Sequence, residues 1–555
     1  MIGVICRPEQ RRTAEELFRL FRTPWSWADQ SSECDVLLVT DCDLETEALE
    51  APLILRFRSD RPLSPVRTTL SVGDLRLPLY GGAVAVSEPG EPVAFAPDGR
   101  PLGVARSNPS GTTIVLGYDV LDEIEFLLKE GQPSDEAAVP TLDLHLDLLR
   151  RWIVDAGVPL VEILPRPWGF KYIACLTHDI DFFGIRRHGV DHTVLGFAYR
   201  ASLGTLLGAL HGRRTWRHVR RNLAALAKLP LVHLGLTPDF WQPFDDYRDA
   251  DGEHPSTYFV IPFRKLAGEH VPGRRAHRRA TKYDIRDVAE QVAEVERLGS
   301  EVAVHGIDAW HSASAGRKEH DAVASTLGRT ELGVRMHWLC YDSRTPAVLE
   351  AAGFPWDATF GYNDTVGYRA GTTQIYAPPG SAYLLEVPLH AQDTALFLAR
   401  RLDLPEEAAW EMCNGLRDHA GTHGGVLAIT WHDRSLAPER LWDSFYRRLL
   451  EALRADAAWF TTISAAVARE RARRATAIRV EKAGDRMLVH LQGAPPAGQP
   501  AFTVRLIALG PDELRLTEER PWRGESTLEF PAPEPAAMQQ QAAIRAGRAA
   551  GRRNG

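Results

Sequence analysis

The chain has few cysteines, no recurring spacing among them, and no excess of basic charge. None of its six cysteines, Cys6, Cys34, Cys42, Cys175, Cys340 and Cys413, belongs to a CxxC pair. This excludes a disulfide framework and a cysteine-based structural zinc site, and it favours reduced thiols. The formal net charge of -8 excludes a dedicated nucleic-acid binder, which is usually basic.

Long apolar runs are also missing. No stretch of about 18 apolar residues occurs; residues 194–210 come closest, but Arg200 interrupts them and small residues dilute them. At the N-terminus, residues 1–8 meet Arg7 too early for the apolar core of a secretory signal. We therefore expect a cytoplasmic protein without a transmembrane helix.

A chain of 555 residues is too long for one hydrophobic core, so several domains are expected. The strand and helix patterns predict an α/β domain of unknown role over residues 1–165 and a (β/α) barrel over residues 166–470. Short strands with turns between them predict a small β-sandwich over residues 475–532. The Ala/Gln/Arg/Gly-rich residues 533–555 are typical of a disordered tail.

The central region contains a strand pattern that ends in two acids. Residues 172–176 are apolar and β-prone, and Asp179 and Asp181 follow them closely. Carboxylates just past a buried strand point into the mouth of an α/β fold, where ligands bind. Alone, such a pair more often marks a turn, and we interpret Asp41 and Asp43, which follow another strand pattern, in that way.

Polar side chains follow several later strand patterns as well. The clusters are His305, Asp308 and His311; Arg335, His337 and Trp338; His390 and Asp393; and Trp431, His432 and Asp433. Helical patterns separate the strands, which favours parallel β/α units with their strand ends at one mouth. Imidazole and carboxylate are common ligands of zinc and similar metals.

A long excursion separates the first acidic cluster from the next strand. It covers residues 182–255 and contains the basic segment of residues 213–221, whose arginines recur at helical spacing. A solvated helix face is the interpretation we favour for this segment, with contact to an acidic polymer as the alternative.

Taken together, residues 166–465 resemble the NodB-type polysaccharide deacetylases, carbohydrate esterase family four. The resemblance implies that Asp179 is the general base and that Asp181 and His305 bind a divalent metal, zinc first, with cobalt or nickel as alternatives. It implies that Arg335 orients the base and that His432, after residues 429–431, is the general acid. Residues 256–260 are similar to the strand that follows the first motif in that family.

The chain departs from the family pattern at the third metal ligand. The family places its other histidine four residues after the first, and here that residue is Ala309. We take His311 as the third ligand, with His337 and Asp308 as alternatives. The long excursion is unusual too, and the N-terminal domain is similar only to domains associated with uncharacterised deacetylase-like proteins.

The predicted function is metal-dependent removal of acetyl groups, N-acetyl first, from a saccharide or glycan precursor. Asp179 accepts a proton from water and His432 gives one to the leaving amine. We assign substrate contacts to His337, Trp338, Arg369 and Trp431. Two alternatives remain: a non-catalytic saccharide-binding protein on a degenerate barrel, and a hydrolase of a small non-sugar amide. The sequence leaves the oligomeric state open.

Overall fold

The computed structural model describes residues 1–29, 33–40, 50–58, 67–212, 214–271, 276–510 and 515–533. Asp41, Asp43 and nearly all of the predicted tail lie outside these residues. The strands are β1 (Ile2–Ile5), β2 (Trp25–Trp27), β3 (Val36–Val39), β4 (Leu53–Phe57), β5 (Thr68–Val72), β6 (Leu75–Leu79), β7 (Glu91–Phe95), β8 (Pro101–Asn108), β9 (Gly111–Leu116), β10 (Leu160–Pro167), β11 (Ile173–Ile180), β12 (Ser256–Val260), β13 (Glu301–Gly306), β14 (Val334–Met336), β15 (Trp356–Asp357), β16 (Leu385–Glu386), β17 (Leu389–Gln392), β18 (Val426–Thr430), β19 (Trp459–Phe460), β20 (Ala477–Ala483), β21 (Arg486–Gln492), β22 (Phe502–Leu509), β23 (Arg515–Trp522) and β24 (Thr527–Pro531).

The α-helices are α1 (Arg11–Phe21), α2 (Val120–Lys129), α3 (Thr141–Asp155), α4 (His192–Tyr199), α5 (Thr205–Leu210), α6 (Trp216–His233), α7 (Pro243–Asp251), α8 (Ala289–Arg297), α9 (Ala313–Leu327), α10 (Thr345–Ala352), α11 (Asp393–Phe397), α12 (Glu406–His423), α13 (Asp443–Ala455) and α14 (Ile463–Ala475). One π-helical turn, Arg200–Gly204, joins α4 to α5. Short 3-10 helices cover Pro8–Gln10, Ser134–Glu136, Ile185–Arg187, Ala276–Arg279, Ile285–Val288 and His337–Leu339.

The chain forms two compact units. The first comprises Met1–Gln132, Pro140–Gly169 and Ala468–Gly555, and the second comprises Pro133–Val139 and Phe170–Val467. In the first unit, the described strands form a mixed sheet of order β2-β1-β3-β4-β9-β8-β7-β5-β6. Its first five strands are parallel to one another, and the others pair antiparallel.

The first unit also contains two antiparallel three-stranded sheets, of order β10-β22-β23 and β20-β21-β24. Side chains from both sheets share one hydrophobic cluster, which includes Ile163, Val489 and Trp522. Strand β10 lies in residues 159–169, which contain three prolines. Its first residues, Leu160 to Leu164, are buried, and that burial explains why they form a strand.

The second unit is built on a parallel sheet of order β16-β15-β14-β13-β12-β11-β18-β17, with β19 also paired to β11. Its terminal strands, β16 and β17, are separated by only residues 387–388. Two residues span roughly 10 Å, whereas eight flat strands would extend about 34 Å. The sheet therefore curls into an open barrel; among the described strands, no ladder joins β16 to β17.

Alternation along β11 divides its side chains between two environments. Ala174, Leu176 and Ile180 pack in the large core that also contains Val292 and Leu449 of the surrounding helices. Ile173 and Cys175 face the other way, into a smaller cluster. Continuing with the same period places Thr177 and Asp179 on the inward face, at the carboxyl end of the strand.

One helical stretch, His192–Leu210, is long and apolar enough to cross a membrane by length and composition, and 22% of its most apolar window is buried. Core helices of soluble proteins pass the same test, so this is weak evidence for a span. It covers the run that the sequence identified as nearest to a membrane segment.

Gly333 tests how tightly the interior of the sheet is packed. A Cβ at this position would lie 1.9 Å from Trp356 Cε2, and the indole is held by its Nε1 donating to Ser464 Oγ at 3.0 Å. We expect Gly333→Ala to reduce the free energy of unfolding by about 1–3 kcal/mol, the usual cost of overpacking. Urea denaturation followed by circular dichroism measures this loss.

The matched control is Gly415→Ala on helix α12, where an added Cβ meets nothing within 4 Å. Alanine inside a helix is favoured over glycine by roughly 0.5–1 kcal/mol, so this variant should gain stability. Equal stability of Gly333→Ala and the unaltered protein would contradict the packing described.

Candidate metal centre

Three potential ligand atoms converge at the carboxyl ends of β11, β13 and β14. Asp181, His305 and His337 each offer one atom, and these atoms all lie within 4.8 Å of one another. His305 Nε2 lies 3.2 Å from Asp181 Oδ1 and 3.1 Å from His337 Nδ1, and His337 Nδ1 lies 3.0 Å from Asp181 Oδ1. Two ligands on a tetrahedral zinc ion are separated by about 3.3 Å, so this donor set fits a divalent metal.

Backbone carbonyls fix which nitrogen of each imidazole is available. His305 Nδ1 donates to the carbonyl of Arg335 at 3.0 Å, and His337 Nε2 donates to the carbonyl of Arg279 at 3.2 Å. A carbonyl oxygen only accepts, so the ring protons lie on His305 Nδ1 and His337 Nε2. In the neutral rings, His305 Nε2 and His337 Nδ1 are then unprotonated and direct their lone pairs toward Asp181. Outer hydrogen bonds of this kind orient metal-binding histidines.

Electrostatics keep Asp181 and His337 in the protonation states that a metal requires. Burial lowers the pKa of His337 to about 4, although Asp181 opposes the shift, so this imidazole is neutral at pH 7. Burial would raise the pKa of Asp181, but the imidazoles, His337 first, outweigh burial and hold that pKa well below its ordinary value. Neutral imidazole and ionised carboxylate are the ligating forms.

Asp179 lies beside the cluster and is fixed by Arg335. Arg335 Nη1 donates to Asp179 Oδ1 at 2.8 Å and to the hydroxyls of Thr177 and Thr430 at 2.7 Å. Burial would raise the pKa of Asp179, but Arg335, followed by His305 and His432, outweighs burial and lowers it. The other Asp179 oxygen, Oδ2, lies 3.9 Å from His305 Nε2, so it faces the metal ligands.

His432 faces Asp179 from β18, with 4.0 Å between Nε2 and Asp179 Oδ2. Its Nδ1 donates to Asp393 Oδ1 at 2.6 Å, and its backbone amide donates to Asp393 Oδ2 at 2.7 Å. Burial lowers the pKa of His432, but Asp393 and then Asp179 and Asp181 outweigh burial and raise it from 6.5 to about 10. His432 is therefore an imidazolium at pH 7, ready to donate a proton.

These groups line one cavity of about 480 Å³. Besides Asp179, Asp181, His305, His337 and His432, the wall includes the exposed indole of Trp338 and five arginines, Arg278, Arg279, Arg401, Arg434 and Arg440. Arg279 is occupied by backbone carbonyls. Burial and the neighbouring Arg434 and Arg200 lower the pKa of Arg440 to about 9. A pKa of about 9 still leaves Arg440 charged at pH 7. The cavity wall therefore has more positively charged side chains than its two carboxylates, Asp179 and Asp181, can balance.

The histidine that lies beside Asp181 and His305 is His337, and not His311, which the sequence favoured as the third ligand. His311 Nε2 pairs with Asp308 Oδ1 at 3.2 Å, and neither residue lines the cavity or belongs to the three-ligand group. His311 and Asp308 lie beyond the end of β13, within the turns that precede α9, whereas His337 starts a 3-10 turn directly after β14. Asp308, the other alternative, accepts a hydrogen bond from the backbone of Glu269 at 2.7 Å.

Two of the residues assigned to substrate binding lie away from the cavity wall. Trp431 is fully buried and stacks against Phe445, with ring centroids 6.0 Å apart. The Arg369 guanidinium lies 4.3 Å from the centre of the Phe360 ring and donates to the carbonyl of Gly361 at 3.1 Å. Trp338 lies on the wall, and His337 lies in the three-ligand group.

Sequence reasoning missed the groups that support the site. Asp393 was noted only as a neighbour of His390, but it holds His432, whereas His390 is buried and donates to the carbonyl of Thr372 at 3.2 Å. Thr177 and Thr430 face each other across the β11–β18 pair. Both threonines follow the two-residue period of the inward side chains of their strands, and that period was the signal that could have identified them.

Comparison with known proteins gives only remote likenesses. No protein-family model matches the chain, and no curated protein matches its sequence. Among solved structures, it is similar to a protein from Mycobacterium smegmatis described as a polysaccharide deacetylase, with 19% identity and a TM-score of 0.31, over 55% of this chain and 93% of that one. An allantoinase matches with 13% identity and a TM-score of 0.31, over 55% of this chain and 91% of that one.

A GH57 branching enzyme from the archaeon Thermococcus kodakaraensis, solved in complex with glucose, matches with 11% identity and a TM-score of 0.30, over 53% of this chain and 70% of that one. TM-scores this low do not establish a shared fold.

Metal binding separates the two candidates for the third ligand. Removing the His337 imidazole takes away one of three ligands, so His337→Ala should weaken Zn²⁺ binding by more than the roughly 10–100-fold that loss of a supporting group costs. His311→Ala should bind Zn²⁺ as the unaltered protein does. Calorimetric titration with Zn²⁺ at pH 7 measures both affinities. The opposite ranking would transfer the ligand role to His311.

The raised pKa of His432 can be observed directly. Because Asp393 holds the proton on this ring, the imidazole should remain protonated from pH 6 to pH 8. Asp393→Asn should bring its pKa back toward 6.5, so that it titrates within that range. NMR of the imidazole nitrogens, assigned with a His432→Gln variant, follows the change. Asp321→Asn, an exposed carboxylate on α9, is the control and should leave the His432 resonances unchanged.

Proposed function

We propose that the chain is a metal-dependent hydrolase that removes acetyl groups, N-acetyl first, from a saccharide. The observation that supports this is one cavity in which the group of Asp181, His305 and His337 lies beside a fixed carboxylate, Asp179, and a protonated imidazole, His432. The ordered sequence clusters that resemble NodB-type deacetylases support the same interpretation. The strands that carry these clusters belong to the open parallel barrel.

The two acid–base groups have opposite tasks. Asp179 is ionised and oriented by Arg335, so it accepts a proton from the attacking water. His432 is protonated because of Asp393, so it gives a proton to the departing nitrogen. An acid and a base on facing sides of one cavity are what amide hydrolysis requires.

Asp181, His305 and His337 would hold the metal. Nitrogen and oxygen donors in this number suit zinc with an open coordination position. When bound, the ion would polarise the substrate carbonyl and lower the pKa of bound water toward about 7. The 3-10 turn His337–Leu339 brings Trp338 to the wall, and its half-exposed indole offers an apolar face on which a sugar ring can stack.

The proposal predicts acetate release from N-acetylglucosamine oligomers in the presence of Zn²⁺, Co²⁺ or Ni²⁺. Loss of the base should reduce the rate, so Asp179→Asn should lower kcat by roughly 10²–10⁴-fold. The same change leaves Arg335 without its buried partner charge and should lower the melting temperature, so the rates are measured well below that temperature, on protein that circular dichroism shows to be folded. Asp321→Asn is the matched control, with unchanged kcat. Coupled enzymatic detection of acetate gives the rates.

Saccharide binding that persists in chelator, with no acetate released under any metal, would instead support the non-catalytic alternative. Acetate release at the same rate by Asp179→Asn would remove the assigned mechanism.

A further inference from the structure

The excursion between β11 and β12 carries an unusual concentration of exposed apolar side chains. Among the described residues, twenty large apolar side chains are exposed, and twelve of them lie between Val190 and Leu236. These twelve are Val190, Leu195, Tyr199, Leu203, Leu206, Leu207, Leu210, Trp216, Leu223, Leu231, Leu234 and Leu236. Single exposed leucines are common, but a contiguous group marks a contact surface.

On the first helical stretch, the apolar residues form one outward face. Leu195, Tyr199, Leu203, Leu206 and Leu210 recur at helical spacing and are all exposed. The opposite face is occupied: Thr193, Phe197, Ala201 and Thr205 are buried, and Phe197 and Ala201 pack in a cluster with Trp241. One face of this stretch is therefore packed on protein, and the opposite, apolar face is open.

Helix α6 repeats the arrangement. Its inward side contributes Ala225 and Val232 to the same cluster as Phe197, so the outward faces of both helices point away from one common core. Outward on α6 lie Trp216, Leu223 and Leu231. Together we call the exposed side chains of α4, the π-helical turn Arg200–Gly204, α5 and α6 the excursion face.

Charge indicates what covers the excursion face. From Asp191 to Leu236 the sequence has seven Arg and Lys residues and a single acid, Asp191, in a chain of net charge -8. Arg217, Arg220 and Lys228 are exposed along α6. A second copy of this chain would bring like charges together, whereas an anionic bilayer supplies both an apolar interior and opposite charge.

We propose that the excursion face docks on the surface of a membrane that contains anionic lipids. The leucines and Trp216 enter the boundary between headgroups and acyl chains, and the arginines and Lys228 pair with lipid phosphates. The same cluster reaches the cavity, because Phe182 packs against it and also lines the cavity. Arg434 continues this connection, since its guanidinium lies 3.9 Å from the centre of the Phe182 ring. The cluster therefore links the docked face to the cavity.

The test is flotation of the full-length protein with vesicles, which does not depend on deacetylation. We expect the protein to float with vesicles of phosphatidylcholine mixed with phosphatidylglycerol and much less with phosphatidylcholine alone. High salt should weaken the association. Leu203→Glu combined with Leu207→Glu should abolish it. Arg217→Gln combined with Arg220→Gln should weaken it about thirty-fold, since two basic residues are lost.

Leu298→Glu is the matched control. Leu298 is an exposed leucine that follows α8, outside the excursion face, and its substitution should leave flotation unchanged. Melting temperatures verify that every variant is folded.

Failure of the unaltered protein to float overturns the proposal, as does equal flotation of the leucine variant. A dimer that Leu203→Glu and Leu207→Glu dissociate, with no binding to vesicles, would assign the face to a second copy of the chain and would equally overturn it.

Discussion

The buried ion pair between Arg335 and Asp179 is the interaction on which the site depends. Both side chains are almost completely removed from solvent, and a lone buried charge costs several kcal/mol. Arg335 meets that cost with hydrogen bonds to three strands: to Asp179 and Thr177 on β11, to Thr430 on β18, and to the carbonyl of Ala358 just past β15. Its ring partner is Phe259 on β12, 4.2 Å from the guanidinium carbon. One cation therefore organises strands from both sides of β11, and the orientation of the base follows from that organisation.

Successive side chains of a strand point to opposite faces of the sheet. This alternation explains why the polar groups of the site lie on the inward face of the parallel sheet. Inward positions change from apolar to polar toward the carboxyl ends: Cys175 is followed by Thr177 and Asp179, and Ala303 by His305. His178 illustrates the opposite case. It lies between two inward residues, so it points outward, where its Nε2 lies 3.0 Å from Asp251 and its ring stacks on Tyr247. His178, the chain neighbour of Asp179, is thus part of the core between the sheet and its helices. A shift of one residue in register would turn His178 inward and Asp179 outward.

Sequence reasoning could predict the strands of the parallel sheet and the polar clusters that follow them, because buried strands and acids at their ends leave strong local signals. Sequence reasoning could not show which histidine lies beside Asp181 and His305, since His311 and His337 differ in the turn that follows each strand. Trp338, at φ 65° within the turn after β14, shows how sharply the chain bends there. The role of Asp393 was missed because its partner, His432, is 39 residues away. The excursion was recognised as basic and helical, but burial was needed to show that its leucines, and not its arginines alone, face outward.

The order in which the strands pair has a consequence for biosynthesis. Strand β11 is completed by β18, whose Thr430 is the partner of Thr177, and β10 is completed by β22, with Val161 opposite Leu506. Strand β11 can pair with β12 earlier, but these two partners, β18 and β22, leave the ribosome only several hundred residues after the strands that they complete. Non-local pairing of this kind is slow, and incomplete sheets with open edges aggregate. The nascent chain therefore exposes open sheet edges for a long interval, in which pairing with other chains competes with folding.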